Sequence, residues 1–313
     1  AIAFVKEERD GPWMLSLNPF DPHPPFDPPA EYLARYDPDD MPEPLFRHGD
    51  IERQKAFAGI TQQTPKAIDP SGPMPSGTLT AEERLKTGYK PPEQFNGRVV
   101  KAAYSAMVEL IDTQFGRLLD ALEESGQLDD TIILFHSDHG ETLGDHGLLY
   151  KGCRFFEGLV HVPMIWSWRG QTSTNLRSEA LVELVDIAPT LLDAAGIDVP
   201  ANMQGKSLWP MLTGEADPQY HKDRVISEFN DALGSAIGKG PSHGSMVFDG
   251  RYKHVLYQGT GLGELYDLQT DPGEFDNLFD DPAHMELRLR LMHEHCDALL
   301  VSSDAGVERT AIY

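Results

Sequence analysis

Eleven residues, His136 to His146 (HSDHGETLGDH), hold three histidines and three acids. They follow directly on an apolar run, Thr131 to Phe135. In an open α/β sheet, ligand-binding side chains gather at the carboxyl ends of strands. A polar side chain buried there must be paired or bound to a metal. Asp138 and His139 come first out of the run, and a carboxylate oxygen beside an imidazole nitrogen suits a divalent cation. The plainer alternative is a solvated loop that caps a following helix. A lone Asp-His pair would favour it; a cluster this dense does not.

Two further residues could serve the same chemistry. His23 lies in Phe20-Asp21-Pro22-His23-Pro24-Pro25-Phe26, with a proline on each side. Proline fixes its own φ and restricts the residue before it, so the imidazole is presented from a stiff loop, as a proton donor or anion contact requires. An incidental histidine in a surface turn is the alternative. Lys151 stands in Leu148-Leu149-Tyr150-Lys151-Gly152, just beyond the acid and histidine cluster. A lysine is a poor metal ligand but well suited to hold an anionic substrate beside one. A surface lysine is the alternative.

The elements that must position these groups follow from the hydrophobic pattern. Val100, Ala103, Met107, Leu110, Ile111, Leu118, Leu119 and Leu122 recur at helical spacing, and Gly126 stands where a C-terminal cap belongs. Thr131 to Phe135 and Val162 to Trp166 predict buried central strands. Asp186 to Gly196 predicts a helix with Asp186 as N-cap. Helix, strand, loop, strand and helix in this order indicate an α/β fold with a largely buried sheet. Beyond residue 215, Val225–Phe229, Ser245–Phe248, Lys253–Tyr257 and Glu264–Leu268 predict short strands, and a last helix runs from about Ala283 to Leu300. The division expected is 1–215 and 216–313, the second a small antiparallel α+β subdomain. Sixteen of 24 prolines fall within the first 92 residues. Residues 19–44 read as an ordered functional loop and 64–92 as a partly mobile one.

Composition bounds the partners. Across 313 residues, 26 Lys and Arg face 50 Asp and Glu, a formal net charge of −24. That argues against nucleic acid and against anionic membrane surfaces. No apolar run approaches the roughly 18 residues of a spanning helix. Two cysteines exclude a disulfide scaffold and a four-cysteine zinc site. Ala1 to Val5 lacks a signal-peptide layout and opens abruptly, so the chain reads as a fragment. Cytoplasmic and periplasmic or secreted locations are then equally open.

PHPPF, then the long helix, then TIILFHSDHGETLGDHGLLYKG, HVPMIW, VDIAPTLLDAAG and ELYDLQTDPGEFDNL resemble, in that order, the sulfatases of the alkaline phosphatase superfamily. The match covers nearly the whole chain and corresponds to the later part of such an enzyme. The resemblance implies an alkaline-phosphatase-like α/β fold: a partial central mixed sheet with flanking helices, plus the C-terminal subdomain. It implies that Asp138 and His139 are two ligands of one divalent cation, most simply calcium, with magnesium or manganese as alternatives. His23 then contacts the ester and serves the leaving oxygen, and Lys151 binds the sulfate oxygens. The family's earlier Asp-Asp metal pair and its Cys/Ser-x-Pro-x-Arg motif, source of the formylglycine nucleophile, do not occur in the chain. Cys153 lacks the proline and Cys296 lies in the last helix. Both missing parts are expected before Ala1, and the 313-residue chain alone is expected to be inactive and to hold metal weakly.

The expected function of the intact protein is hydrolysis of a small-molecule or saccharide sulfate monoester. The residues present do not separate it from a phosphonate or phosphate ester hydrolase of the same superfamily. A non-catalytic binding chain on that scaffold is the alternative from another class. Self-association through an exposed apolar face or strand edge is compatible with a partial domain. Other motifs carry less. Gly240-Pro241-Ser242-His243-Gly244 matches a nucleophile elbow in letters, but a strand should follow it, not a helix. Gly234 to Lys239 lacks the spacing of a phosphate loop. His293, His295 and Cys296 on one helix do not converge on a zinc ion. Eight acids and no Lys or Arg between Glu264 and Glu286 read as a solvated acidic face. Trp166 and Trp168 read as core and rim of a strand.

Overall fold

The structure, a computed structural model, describes residues 1–60, 63–64, 66–73, 92–230 and 241–303. Most of the 64–92 stretch and all of Gly234–Lys239 lie outside the described residues. The chain forms two compact units, one of residues 1–133 and 140–152, the other of residues 134–139 and 153–313.

The first unit is organised by the helix Gly97–Glu124. The Asn96 side chain caps it, accepting from the Arg98 and Val99 backbone N–H groups. At its other end Gly126 adopts φ 70°, so that the Gln127 N–H reaches the Leu122 carbonyl at 3.0 Å and the Gly126 N–H reaches that of Glu123 at 3.0 Å. Its first half buries Val100, Ala102, Ala103, Ala106 and Met107. Val100 packs with Phe95 and Leu149 against Phe26, Ile68, Leu143 and Tyr150. The far end, through Leu122, joins Val5, Leu128, Trp13 and Ile133.

In the second unit, strand β1 (Ile133–His136) pairs with β2 (Met164–Ser167). Both run one or two residues later than the sequence predicts, and neither is fully buried. Ile133, Leu134 and Phe135 are half-buried, and Ile165 is 60% exposed. Among the described residues each of these strands has the other as its sole partner. The expected central burial needs strands on both sides. The second sheet runs β3 (Val225–Asn230), β4 (His243–Phe248), β5 (Tyr252–Tyr257) and β6 (Leu262–Asp267) in sequence order, all antiparallel. The helix Met285–Ser302 packs on it through Leu291, with Leu265 and Phe279. A strand does begin at His243, which removes the helix that an elbow at Ser242 would require.

Two expectations are corrected here. Asp186 makes no cap bond to the helix Ile187–Ala194. It is wholly buried, and its carboxylate accepts from the backbone N–H groups of Lys206 (2.8 Å) and Glu183 (2.9 Å) and from Lys222 Nζ (2.6 Å). The acidic stretch from Glu264 is a solvated face only in part: Asp276, Asp280 and Glu286 are exposed, but three of its acids are not. Glu264, Asp267 and Glu274 are 2%, 8% and 3% exposed. Glu264 accepts from Arg154 at 2.6 Å and from the hydroxyls of Tyr257 and Tyr266 at 2.6 and 2.8 Å. Glu274 accepts from Lys253 Nζ at 2.7 Å, and Asp267 takes the Arg251 guanidinium through both oxygens. The bases lie outside the stretch, so a local charge count misses them. Asp271 to Glu274 closes as a turn, with a 3.1 Å backbone bond.

The terminal helix is also tied to the sheet by a buried polar chain. Gln258 Nε2 donates to Ser245 Oγ at 2.5 Å, Ser245 Oγ meets His295 Nε2 at 2.7 Å, and His295 Nδ1 meets His254 Nδ1 at 2.9 Å. Cys296 next to it is exposed, whereas Cys153 is fully buried. The two facing Nδ1 atoms share a single hydrogen, and burial disfavours a charge on either ring. Phe279 stacks on His254 at 5.9 Å, and the charge acting on His254 besides His295 is the Arg288 cation. Burial pushes His254 down to about 3, helped by His295 and Arg288, and pushes His295 down to about 4. An unfolded histidine takes up its proton near about pH 6.5. Between about pH 6.5 and 4 the unfolded chain therefore binds more protons, so this stability is complete above the window and lost as pH falls through it. One ring contributes about 2 kcal/mol of loss by about pH 5. Thermal melts between pH 7.5 and 5 should show a steeper decline for the wild type than for His254→Gln; parallel curves would remove the pair as the cause.

Candidate active site

Strand β1 ends at His136, and the chain turns at once. Ser137 Oγ donates to the His139 carbonyl at 2.7 Å, and the His139 N–H donates to Asp138 Oδ1 at 2.9 Å. These local bonds set Asp138 and His139 side by side, with Oδ2 and Nε2 3.7 Å apart. The side chains are 83% and 43% exposed. Among the described residues no three His, Cys, Asp or Glu groups stand close enough to hold a metal. A carboxylate and an imidazole are acceptable ligands, yet calcium takes six to eight oxygens. The pair is thus a piece of a coordination shell, and no chemical step is assigned through an ion held by it alone.

After Gly140 the same motif enters the first unit, and burial separates its residues by role. Glu141 is 8% exposed and accepts from the Thr142 N–H at 3.1 Å. Burial raises its carboxyl to about 7, against the opposing pull of the Lys151 cation. Asp145 accepts from the Leu45 N–H at 2.9 Å and from Lys101 Nζ at 3.3 Å. His146, 1% exposed, has its Nδ1 2.9 Å from Arg53 Nη2, and Arg53 in turn pairs with Asp50 at 2.7 Å. Arginine only donates, so His146 Nδ1 accepts. Asp145 and His146 therefore fasten residues 45–53 to the turn and belong to its structure. Of the eleven-residue cluster, Asp138 and His139 remain as the exposed acid and imidazole pair that could take a cation.

The turn needs its glycines. Gly147 sits at φ 74°, and a Cβ there would lie 2.5 Å from the Ile68 carbonyl oxygen. Leu148 and Leu149, each 2% exposed, then bury themselves and deliver Tyr150 and half-buried Lys151. His23 belongs to the same unit. Its Nδ1 lies 2.7 Å from the Pro24 carbonyl, which only accepts, so the neutral ring carries its proton on Nδ1. The peptide bonds before Pro22 and Pro25 are cis, and the ring lies against Phe20 at 4.7 Å. Phe26, three residues on, packs against Tyr150 at 6.1 Å. The His23 and Lys151 segments thus meet through that aromatic pair. Asp138 and His139 belong to the second unit.

Several contributors are invisible in the one-dimensional pattern. Thr64 Oγ1 accepts from the N–H groups of Leu149 and Tyr150, and Thr142 Oγ1 donates to the Tyr150 carbonyl. Arg53 and Glu141 act through burial, which spacing alone does not reveal. Trp168 packs on Trp209 at 5.6 Å.

An α/β chain with a metal-type acid and imidazole pair after β1, and a lysine beyond it, falls in the alkaline-phosphatase-like class of hydrolase folds. A solved phosphonate monoester hydrolase of Agrobacterium radiobacter superposes with TM-score 0.76 at 30% identity, over 97% of this chain and 59% of that one. The chain belongs to the sulfatase family: the model described as "Sulfatase" matches residues 1–197. "N-sulphoglucosamine sulphohydrolase, C-terminal" matches residues 144–299. A multifunctional alkaline phosphatase superfamily protein of Trinickia caryophylli is 32% identical over 299 residues, 92% of this chain and 55% of that protein. An arylsulfatase of Clostridium perfringens is 29% identical over 91% of this chain and 53% of its own length. The chain spans about half the length of these curated relatives.

Two glycine substitutions separate strain from collision. Gly126→Ala, at φ 70° with nothing within 4 Å of a new Cβ, should cost about 1 kcal/mol of left-handed strain. Gly147→Ala adds the backbone collision and should cost at least about 3 kcal/mol. Urea unfolding of both checks this; equal losses would mean that the backbone at Ala67 and Ile68 yields freely.

Proposed function

We propose that the protein hydrolyses a sulfate monoester of a small molecule or saccharide. Lys151 holds the oxygens of the transferring group as a positioned donor. His23, when protonated on both nitrogens, donates from Nε2 to the leaving oxygen, its Nδ1–H being committed to the Pro24 carbonyl. Asp138 and His139 are proposed as part of the ligand set of one divalent cation, calcium first and magnesium or manganese as alternatives. No residue of these 313 is assigned as nucleophile; a formylglycine is the group expected from the family. Residues 1–215 are taken as part of the catalytic domain and 216–313 as its C-terminal subdomain. The observation that carries the reading is the Phe26–Tyr150 contact, which brings the proline-flanked imidazole loop and the lysine step together within one unit.

A phosphonate or phosphate ester is the second reading, favoured by the likeness to the phosphonate monoester hydrolase fold. Both groups present tetrahedral anionic oxygens, and Lys151 would hold either. Assays of the full-length gene product on an aryl sulfate and an aryl phosphonate monoester rank the two by kcat/KM. Saturable binding without turnover of either would favour a non-catalytic chain. On the better substrate, Lys151→Ala should lower turnover roughly 30- to 1,000-fold, corresponding to about 2–4 kcal/mol of lost stabilisation. A variant that keeps more than half its turnover at an unchanged melting temperature would make Lys151 a surface residue and end this reading.

A further inference from the structure

Residues 149–151 run through the interior of the first unit outside any helix or named strand. Buried backbone groups without a ladder must find other partners. Here side-chain hydroxyls and one neighbouring amide supply them. Thr64, 5% exposed, turns its Oγ1 to two successive amides, Leu149 N–H at 3.0 Å and Tyr150 N–H at 3.3 Å. Thr142, 2% exposed, donates its hydroxyl to the Tyr150 carbonyl at 2.6 Å. The Gln63 N–H donates to the Lys151 carbonyl at 3.0 Å. Four bonds thus hold the three residues that end on the lysine, and three of them come from two buried threonines.

We propose that Thr64, together with Thr142, is a positioning residue for Lys151, fixing the backbone from which its ammonium reaches the substrate anion. The inference rests on the reading of Lys151 as the anion-binding group. A lysine side chain is long and carries much rotamer freedom. Its charge is useful to a transition state only if its root is held, because a misplacement of about 1 Å costs on the order of a hundredfold. Two consecutive amides gripped by one oxygen fix both the position and the direction of the strand-like segment at Tyr150. Nearby, the Ile68 N–H bonds to the Gly147 carbonyl at 3.0 Å, at the turn that leads into Leu148 and Leu149. A valine at position 64 has nearly the same shape and lacks the oxygen; a serine keeps the oxygen and lacks the methyl.

A double-mutant cycle on the full-length enzyme, with an aryl sulfate or phosphonate monoester as probe, tests this. Thr64→Val should lower kcat/KM roughly ten- to a hundredfold, by analogy with the loss when a partner that orients a metal ligand is removed. Thr64→Ser should restore most of it. In the Lys151→Ala background Thr64→Val should cost less than about twofold, because its effect passes through the lysine. Equal losses in both backgrounds would show a general effect on the fold and overturn the inference. An unchanged rate for Thr64→Val with a Lys151→Ala variant still impaired would overturn positioning alone and leave the anion site standing. A harmless Lys151→Ala would remove the anion site and the positioning role together. Should Thr64→Val not fold, Thr142→Val enters the same cycle with the same expectations, since it removes one donor to a carbonyl.

Discussion

The first turn of the helix Gly97–Glu124 is where three distant segments meet at backbone distance, and the first unit depends on that approach. A Cβ at Gly97 would lie 2.3 Å from the Pro44 ring and 3.3 Å from the Leu143 carbonyl. Gly144, at φ 103°, leaves room for a Cβ only 3.3 Å from Gly97 Cα. The Gly97 N–H donates to the Pro70 carbonyl at 2.7 Å. One turn further on, Lys101 reaches Asp145 and Val100 packs on Leu149. Two glycines at the contact thus let the proline-rich loop, residues 66–73 and the acid and histidine motif close on one helix end. The path of the chain to Lys151 follows from that closure.

The second unit meets a different constraint, the burial of charge. Arg154 and Glu264 are 3% and 2% exposed, and Lys253 is wholly buried against Glu274 and the Phe155 carbonyl. Taking such ions from water costs several kcal/mol each, and their attraction repays it only when every lone pair is answered. Around Glu264 the answers come from one guanidinium and two phenols. Networks of this kind contribute less to stability than to a single arrangement, because each member has few acceptable alternatives. The ELYDLQTDPGEFDNL segment supplies most of the anions, and Asn277 adds bonds to the Leu265 and Phe279 amides. Glu264, Glu274 and Asn277 of this motif thus serve as structural locks within the second unit.

Elements were legible in the sequence wherever local chemistry decided them. The long helix announces itself by its apolar spacing and by Gly126, and four strands of the second sheet fall within two residues of expectation. Positions decided by distant partners were not legible. Asp186 has the sequence of a cap and becomes a buried acceptor because Lys222 and Lys206 arrive from far along the chain. The HSDHGETLGDH cluster shows its density in one dimension, but its division into exposed Asp138 and His139 and buried Glu141 and His146 is a matter of tertiary burial. Thr64 carried no signal at all, since a threonine eighty-five residues from Leu149 looks like any other.

The two cysteines differ in a way that matters at the bench. Cys153 is sealed beneath β4, where a Cβ on Gly244 would come within 2.8 Å of its sulfur, and Cys296 lies on the open side of the terminal helix. Alkylating reagents need an accessible thiolate. A maleimide dye applied to these 313 residues in their folded state will therefore attach at Cys296, in the second unit, in preference to Cys153. That thiol offers an attachment point for fluorescence, spin labels or surface immobilisation. Reactivity at Cys153 becomes, by the same geometry, a direct chemical gauge of how often β4 and its neighbours come apart.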